Sequence, residues 1–433
     1  MSYDVIIIGA GAAGLMAAAA SAMRGCSTLL LEKNRKLGIK ILMSGGSRCN
    51  ITHDCDVRGI VAAFGANGKF LYSPLSVLPP QAVIEKIESL GVPTKVESTG
   101  KIFPVSDKAV DVRNALVRQA QNAGVEIISG CGVESVHRDS GNFSIASTDG
   151  SFQSTSVIVT TGGKSYPGCG TTGDGYHWAE KFGHTVTSLH PALVPILNND
   201  DWARRLKGVT VEDVDVHVWQ PSQPATQVTN ITKNKIKNPR PKNLNRYRGS
   251  FLFTHWGFSG PAVLNVSKSV ATHDEKKSLQ LICDFLPERP LDRFCKELNQ
   301  AARDSGKNPI GSLFTKELPK RIVEGVLDSV GLAPSTRMAE LSKKQILGLS
   351  KGFKECRFQI NGTLGFEKAE VTTGGINLKE IDSRTMQSKF VPGLYFAGEI
   401  LDLDGWIGGF NFQAAFSTGW LAGLSVPKST YPG

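Results

Sequence analysis

The chain has 433 residues, 40% of them hydrophobic and 20% charged, the balance of a globular enzyme with material for two or three domains. No apolar run approaches the length of a membrane span, and the eight cysteines form neither a disulfide framework nor a paired Cys-x-x-Cys motif. That excludes a membrane channel and a cysteine-stapled secreted domain, leaves no metal site to expect, and leaves a net charge of +10 to be explained.

In chain order, the first signal is Asp4-Val-Ile-Ile-Ile-Gly-Ala-Gly-Ala-Ala-Gly14. Val5 to Ile8 read as a central parallel strand covered on both faces. Gly9 permits a tight turn, Gly11 lets the backbone approach a pyrophosphate, and Gly14 lets the following helix pack closely. That alanine-rich helix, Ala12 to about Met23, offers free N–H groups to phosphate at its start. Glu32 closes a second strand eighteen residues after Gly14, where a carboxylate accepts from a ribose and disfavours a 2′-phosphate. The stretch is a dinucleotide-binding βαβ fingerprint. Since it begins at the N-terminus with a core strand, no secretory leader is expected, and the cytoplasm is the expected compartment.

Lys36 to Asn50 follows as a donor-rich glycine loop, with Lys40 and Arg48 for charge and Ser44, Gly45, Gly46 and Asn50 for hydrogen bonds to the same phosphates. Amphipathic helices are expected at Pro80–Leu90 and Asp111–Ala123. Short β runs at Val125–Ser129, Val133–His137, Phe143–Ser147 and Phe152–Thr160 predict a strand returning to the parallel sheet and an antiparallel meander. The last run leads into Thr161-Gly162-Gly163, so it should deliver its end to the same crevice. A second Gly-x-Gly-x-x-Gly, Gly168 to Gly173, follows Pro167 and not a central strand, so it lines the first nucleotide's site and does not bind a second.

From Pro191 to about Asp284 the pattern is β, and from Pro287 to about Gly352 helical, with helices at Asp292–Asp304, Lys316–Val330 and Arg337–Leu349. The expected organisation is a first part of a cofactor domain over 1–190, a β-rich insert over 191–286, a helical insert over 287–356 and the rest of the cofactor domain over 357–433. Seven basic residues and no acids between Lys233 and Arg248 supply most of the excess charge. A solvated surface loop explains them best, with anionic substrate or nucleic acid as the rival readings.

Near the C-terminus, Pro392 to Gln413 reads as strand, Ala-Gly398-Glu399, then Asp402, Asp404, the pair Gly408-Gly409 and a helix. The carboxylate suits a polyol chain, and the paired glycines can bring backbone N–H groups to a charged ring edge. A flavin needs both, which makes FAD the expected cofactor.

These motifs resemble the BaiN-like flavoproteins, the aminoacetone-oxidase-type FAD-binding family within the glutathione-reductase-like superfamily. The resemblance rests on GAGAAGLMAA, KILMSGGSRCN, TTGGKSYPGCGTTGDGY, FTHWGFSGPAVLNVS at Phe253 to Ser267, VTTGGI at Val371 to Ile376, and GLYFAGEILDLDGWIGGFNFQAAFSTG. It implies an α/β, Rossmann-like FAD domain built from both ends of the chain around an inserted β-barrel and helical subdomain. By that likeness Glu32 holds the adenosine ribose, Val133 meets adenine through its backbone, Glu399 meets the flavin, and Asn411 and Phe412 lie near the ring. The family loop usually carries arginine where this chain has Ile39, glycine where it has Ser47, and tyrosine where it has Phe410.

The candidate FAD contacts from the first half are Gly9, Gly11, Ala12, Ala13, Gly14, Glu32, Lys33, Lys40, Ile41, Ser44, Gly46, Arg48, Cys49, Asn50 and Val133. Thr161, Gly162, Gly163, Asp174, Gly398, Glu399, Gly409, Asn411 and Phe412 complete the set. His255 and Tyr166 are the candidate catalytic groups, with Arg48 and Asp404 as further polar groups. A redox-active Cys49–Cys55 pair is disfavoured by spacing and by the place of Cys49 in the phosphate loop. The expected activity is that of an FAD-dependent oxidoreductase on a small organic substrate, with NAD(P)H as transient donor. The alternatives are a flavin-dependent amine oxidase using O2 and an RNA-associated flavoprotein. Nucleic acid is the disfavoured partner because Tyr247 stands alone in the basic stretch, without the interleaved aromatics that stack bases.

Overall fold

The computed structural model describes residues 2–221, 241–314 and 317–428. The chain divides into two compact units, Met1–Pro191 with Glu370–Gly433, and Ala192–Ala369. Among the described residues no helix is long and apolar enough to cross a membrane.

The first unit is built on a seven-stranded sheet. Its centre is Ser2–Ile8, whose Val5, Ile6 and Ile7 are fully buried, paired in parallel with Thr28–Glu32 on one side and Gly150–Val159 on the other. Glu126–Ser129 joins beyond Thr28–Glu32 in parallel. Gly150–Val159 continues into the antiparallel meander with Asn142–Ser147 and Val133–Asp139, and also pairs in parallel with Leu394–Phe396. The C-terminal segment thus supplies the seventh strand of this sheet.

The helix Ala12–Met23 is buried almost throughout because it is covered by the C-terminal helix Phe410–Ser425. Glycine makes that contact possible. A Cβ at Gly419 would stand 2.2 Å from the Ala13 carbonyl oxygen, and one at Gly423 2.3 Å from that of Ala17, so the helices meet backbone to backbone. The Ser21 hydroxyl, buried in this seam, donates to the Ala17 and Gly423 carbonyls.

The stretch expected as an open phosphate loop is largely helical. Ile39–Ser47 forms a helix broken at Ser44–Gly46, where Gly45 and Gly46 take left-handed conformations (φ +55° and +68°). The apolar Ile-Lys-Ile-Leu-Met run propagates the helix and Gly45-Gly46 breaks it.

In the second unit seven antiparallel strands run in the order Cys356–Gln359, Gln280–Asp284, Thr210–Gln220, Lys242–Phe253, Gly257–Ser259, Ile196–Leu197, Gly362–Thr363. The two edge strands are joined through Ile360 and Asn361 alone, which forces the sheet to curl until its edges meet. The helices Leu291–Asp304, Lys320–Ser329 and Lys343–Lys354 share one aromatic core with this sheet, including Phe251, Phe258, Phe285, Phe294, Phe314, Phe353 and Phe358.

Two residues of the basic stretch are neutralised by neighbouring acids. Arg246 makes a forked pair with buried Asp215, with Nε at 2.9 and 2.8 Å from its two oxygens. Arg248 forks onto Asp213 at 2.7 and 2.6 Å and also pairs with Glu288. The sequence hides this because Asp213 and Asp215 come from the adjacent strand, Asp215 directly opposite Arg248 and diagonal to Arg246. Lys233, Lys235, Lys237 and Arg240 lie outside the described residues.

Candidate cofactor site

The three fingerprint glycines divide their work as their chemistry requires. A Cβ at Gly14 would fall 1.8 Å from the Gly9 carbonyl oxygen, and one at Gly9 2.7 Å from that of Thr160, so both are fixed by packing. At Gly11 a Cβ would meet nothing within 4 Å, leaving room for a ligand against the backbone. No side chain caps the helix that starts at Ala12, so its leading N–H groups remain available to an anion.

Glu32 is buried and fixed from both sides. Its Oε2 accepts from the Ala10 N–H at 2.8 Å, and Oε1 accepts from the backbone and side-chain nitrogens of Asn34 at 2.9 and 2.7 Å. A carboxylate has about four acceptor sites, so one remains for a ribose hydroxyl.

Glu399 is held by a network of which sequence reasoning named only part. Its Oε2 accepts from Lys40 Nζ at 2.5 Å, and its Oε1 from Ser165 Oγ at 2.7 Å and from the Thr372 N–H at 3.0 Å. Lys40 also donates to Ser165 Oγ at 2.7 Å. Thr372 Oγ1 in turn accepts from the Lys164 and Ser165 N–H groups. Ser165 and Thr372 were missed as individuals, although both lie inside quoted motifs; what joins them is folding, not spacing. Gly163 fits this network because a Cβ there would strike Thr372 Oγ1 at 2.4 Å.

The remaining candidates fall in distinct places. Lys33 pairs with Asp174 at 2.6 Å. Arg48 pairs with Glu97 at 2.6 Å, lies 3.5 Å from Asp107 and stacks 4.0 Å over Phe103, so its charge faces carboxylates. Ser44 Oγ donates to the Ile41 carbonyl, Ile41 and Cys49 are buried, and a Cβ at Gly46 would face open space. Val133 opens the outermost meander strand. Gly162 is left-handed (φ +74°), and the Thr161 hydroxyl oxygen is buried without a partner. Gly398 N–H donates to Thr418 Oγ1 at 3.0 Å.

At the paired glycines, Asn50, with its amide oxygen turned toward Gly409, accepts from the Gly409 N–H at 3.0 Å. That donor, expected for a ring edge, is therefore engaged within the protein. Asn411 pins the preceding turn, its Oδ1 accepting from the Gly405 N–H at 2.8 Å and its Nδ2 donating to the Gly405 carbonyl at 3.0 Å. Phe412 stacks on Phe416. Asp404 Oδ1 accepts from Thr373 Oγ1 at 2.7 Å. His53, which sequence reasoning passed over, stacks on Phe410 at 4.6 Å and donates from Nδ1 to the Gly408 carbonyl at 3.0 Å.

His255 belongs to the second unit, exposed and against Trp256. Tyr166 is in the first unit with left-handed backbone (φ +57°) immediately before Pro167, a conformation that proline disfavours in its neighbour. Ser47 and Cys49 are also left-handed non-glycine residues (φ +68° and +65°). Strain of this kind persists where surrounding contacts enforce it, and three of its instances lie in motifs expected to surround the cofactor. Glu370, also unmarked by sequence, is exposed at its side chain. Its carbonyl accepts from Ser165 Oγ at 3.4 Å, so it adjoins the Glu399 network.

The open space at Gly11, the uncapped helix start, the spare acceptor capacity of Glu32 and the orphaned Thr161 hydroxyl fit an ADP-bearing cofactor. The model of the HI0933-like protein Rossmann domain matches residues 3–425. The chain is 34% identical over 421 residues to the ribosomal RNA dihydrouridine synthase of Escherichia coli, covering 96% of each chain. It is 30% identical over 425 residues to the 3-dehydro-bile acid delta(4,6)-reductase of Clostridium scindens, covering 98% of each. Among solved structures, a 3-ketosteroid-delta4-(5alpha)-dehydrogenase from Rhodococcus jostii superposes with a TM-score of 0.52 at 14% identity, covering 99% of this chain and 97% of that one, a likeness of fold. The fold, the glycine turn with its ribose-facing acid and the full-length match agree: the chain belongs to the HI0933-like family of FAD-binding Rossmann flavoproteins and is an FAD-dependent oxidoreductase.

Proposed function

We propose that this flavoenzyme saturates a carbon–carbon double bond conjugated to a carbonyl, with uridine in ribosomal RNA as its substrate and a reduced nicotinamide as electron donor. The observation that carries the reading is that two full-length relatives are named for reductions of one chemical kind, one producing dihydrouridine and the other reducing a 3-dehydro bile acid. In both, an electron-poor carbon is conjugated to a carbonyl. Bound FAD supplies the two-electron step. Overall, a hydride equivalent adds to C6 of the uracil ring and a proton to C5, and the nicotinamide that gave the hydride leaves oxidised.

Within the chain, Glu32 and the Gly9–Gly14 turn hold the adenosine and phosphate end. Lys40, Ser165, Thr372 and Glu399 fix one another beside the flavin. RNA is favoured over a steroid by the higher identity to the dihydrouridine synthase and by the net charge of +10. This reverses the weight that the lack of stacking aromatics gave to nucleic acid. Arg246 and Arg248, already paired with acids, are not assigned to that contact.

The test is anaerobic incubation of the holoprotein with ribosomal RNA lacking dihydrouridine and with NADH or NADPH, followed by nucleoside mass analysis. The expected product is a uridine that has gained two hydrogens. No reduced uridine, together with flavin bleached by an amine and recovered with O2, would replace this reading with the amine oxidase.

A further inference from the structure

We infer that Arg113 provides a cation for the phosphates of the ADP half of FAD. The helix that carries it, Ala109–Asn122, turns at Gly124 into Glu126–Ser129, a strand parallel to Thr28–Glu32. A helix feeding such a strand runs antiparallel to it, so its opening turns lie at the carboxyl edge of the sheet. The glycine turn and Glu32 are at that edge. The helix also packs against Ala12–Met23 and Ile39–Ser47, the two helices that flank the phosphate position.

Locally, the Arg113 stem crosses Gly38. A Cβ at position 38 would fall 2.9 Å from Arg113 Cγ and 3.7 Å from Cδ, and Gly38 is left-handed (φ +63°). The Gly38 N–H donates to the Ala10 carbonyl at 3.0 Å, and Ala10 is the residue between the two leading glycines of the turn. The arginine is therefore laid directly on the segment that is hydrogen-bonded to the dinucleotide turn.

One nitrogen of its head group is unmet. Arg113 Nε is shielded from solvent and has no hydrogen-bond partner among the described residues. The cations that the sequence offered for the phosphates are each held by a carboxylate: Lys33 by Asp174, Lys40 by Glu399, Arg48 by Glu97. Ile39 brings no charge. A buried, unpaired guanidinium nitrogen calls for a partner, and a phosphate, which accepts from arginine in a forked geometry, is the anion that belongs at this edge.

The experiment compares wild-type apoprotein with Arg113→Ala, Arg113→Lys, Gly38→Ala and Glu32→Ala, by thermal shift with ADP and with adenosine and by FAD titration. Arg113→Ala is expected to weaken ADP and FAD binding about tenfold or more and to flatten the salt dependence of ADP binding, leaving adenosine unchanged. Arg113→Lys should restore part of the loss. Gly38→Ala, which keeps the charge but presses on the stem, should give an intermediate loss. If Arg113→Ala binds ADP like wild type while Glu32→Ala does not, the site stands and the role of Arg113 falls. Equal losses for adenosine and ADP would overturn it too, since the contact would then be to the base. If ADP does not stabilise even the wild type, the placement of the cofactor fails and this inference with it.

Discussion

Replacing Glu32 with alanine separates what that residue does for the fold from what it does for the cofactor. In the fold it accepts from the Ala10 N–H at 2.8 Å and from both nitrogens of Asn34, and it is 8% exposed. Removal leaves the Ala10 N–H, at a residue with no exposure, without its acceptor. Such a loss costs about 1–3 kcal/mol. For the cofactor, the one acceptor site left on the carboxylate takes a ribose hydrogen bond of about 2 kcal/mol, a loss of binding of roughly thirtyfold. Urea unfolding of the apoprotein measures the first quantity, and fluorescence titration of apoprotein with FAD the second. Glu32→Gln should fall between, because an amide keeps one acceptor but presents a donor where the carboxylate met two. An apoprotein of unaltered stability, or FAD binding unchanged within twofold, would refute the argument at the corresponding link.

Other outcomes follow from the packing and the titrating groups. His184 is buried between Glu380 Oε2 at 3.2 Å and Ser388 Oγ at 2.8 Å, and desolvation lowers its pKa although Glu380 pulls upward. The unfolded chain then takes up a proton first, so stability should fall as pH drops below about 6.5, and His184→Gln should flatten that slope in urea unfolding. Gly423→Ala places a methyl against the Ala17 carbonyl and should cost about 1–3 kcal/mol in thermal unfolding; an unchanged midpoint would show that the helices can part freely. Cys55 has its thiol pushed up to about 11 by burial and by Asp56 and Asp54, so Cys55→Ser should leave flavin reduction intact, and its loss would revive a redox-active pair with Cys49.

The parts of this architecture that were legible in sequence are those whose cause is local. Gly9, Gly11, Gly14 and Glu32 announce themselves because each answers a steric or hydrogen-bonding need within one βαβ unit, and the meander shows as apolar alternation between Gly and Asp-Gly turns. The helix at Ile39–Ser47 was concealed by its glycines, which mark a break inside it and not a loop. Gly419 and Gly423 gave no signal, since an isolated glycine in a helix pattern reads as a weakness until the partner helix is known. The pairs of Arg246 and Arg248 depend on strand register, and the links among Lys40, Ser165, Thr372 and Glu399 depend on three separate segments meeting. Residues joined only by tertiary structure leave no spacing to read.

The strand Leu394–Phe396 and the helix Phe410–Ser425 complete the sheet and cover the helix Ala12–Met23, although they stand at the opposite end of the chain. On a translating ribosome, the alanine face of that first helix therefore waits, uncovered, while the second unit, with its own continuous core, is made and can fold. The glycine turn thus gains its covering surface only after Leu394 to Ser425 has been made. A chain stalled before Leu394 would carry the whole glycine fingerprint and still lack the partner surface that holds it in shape.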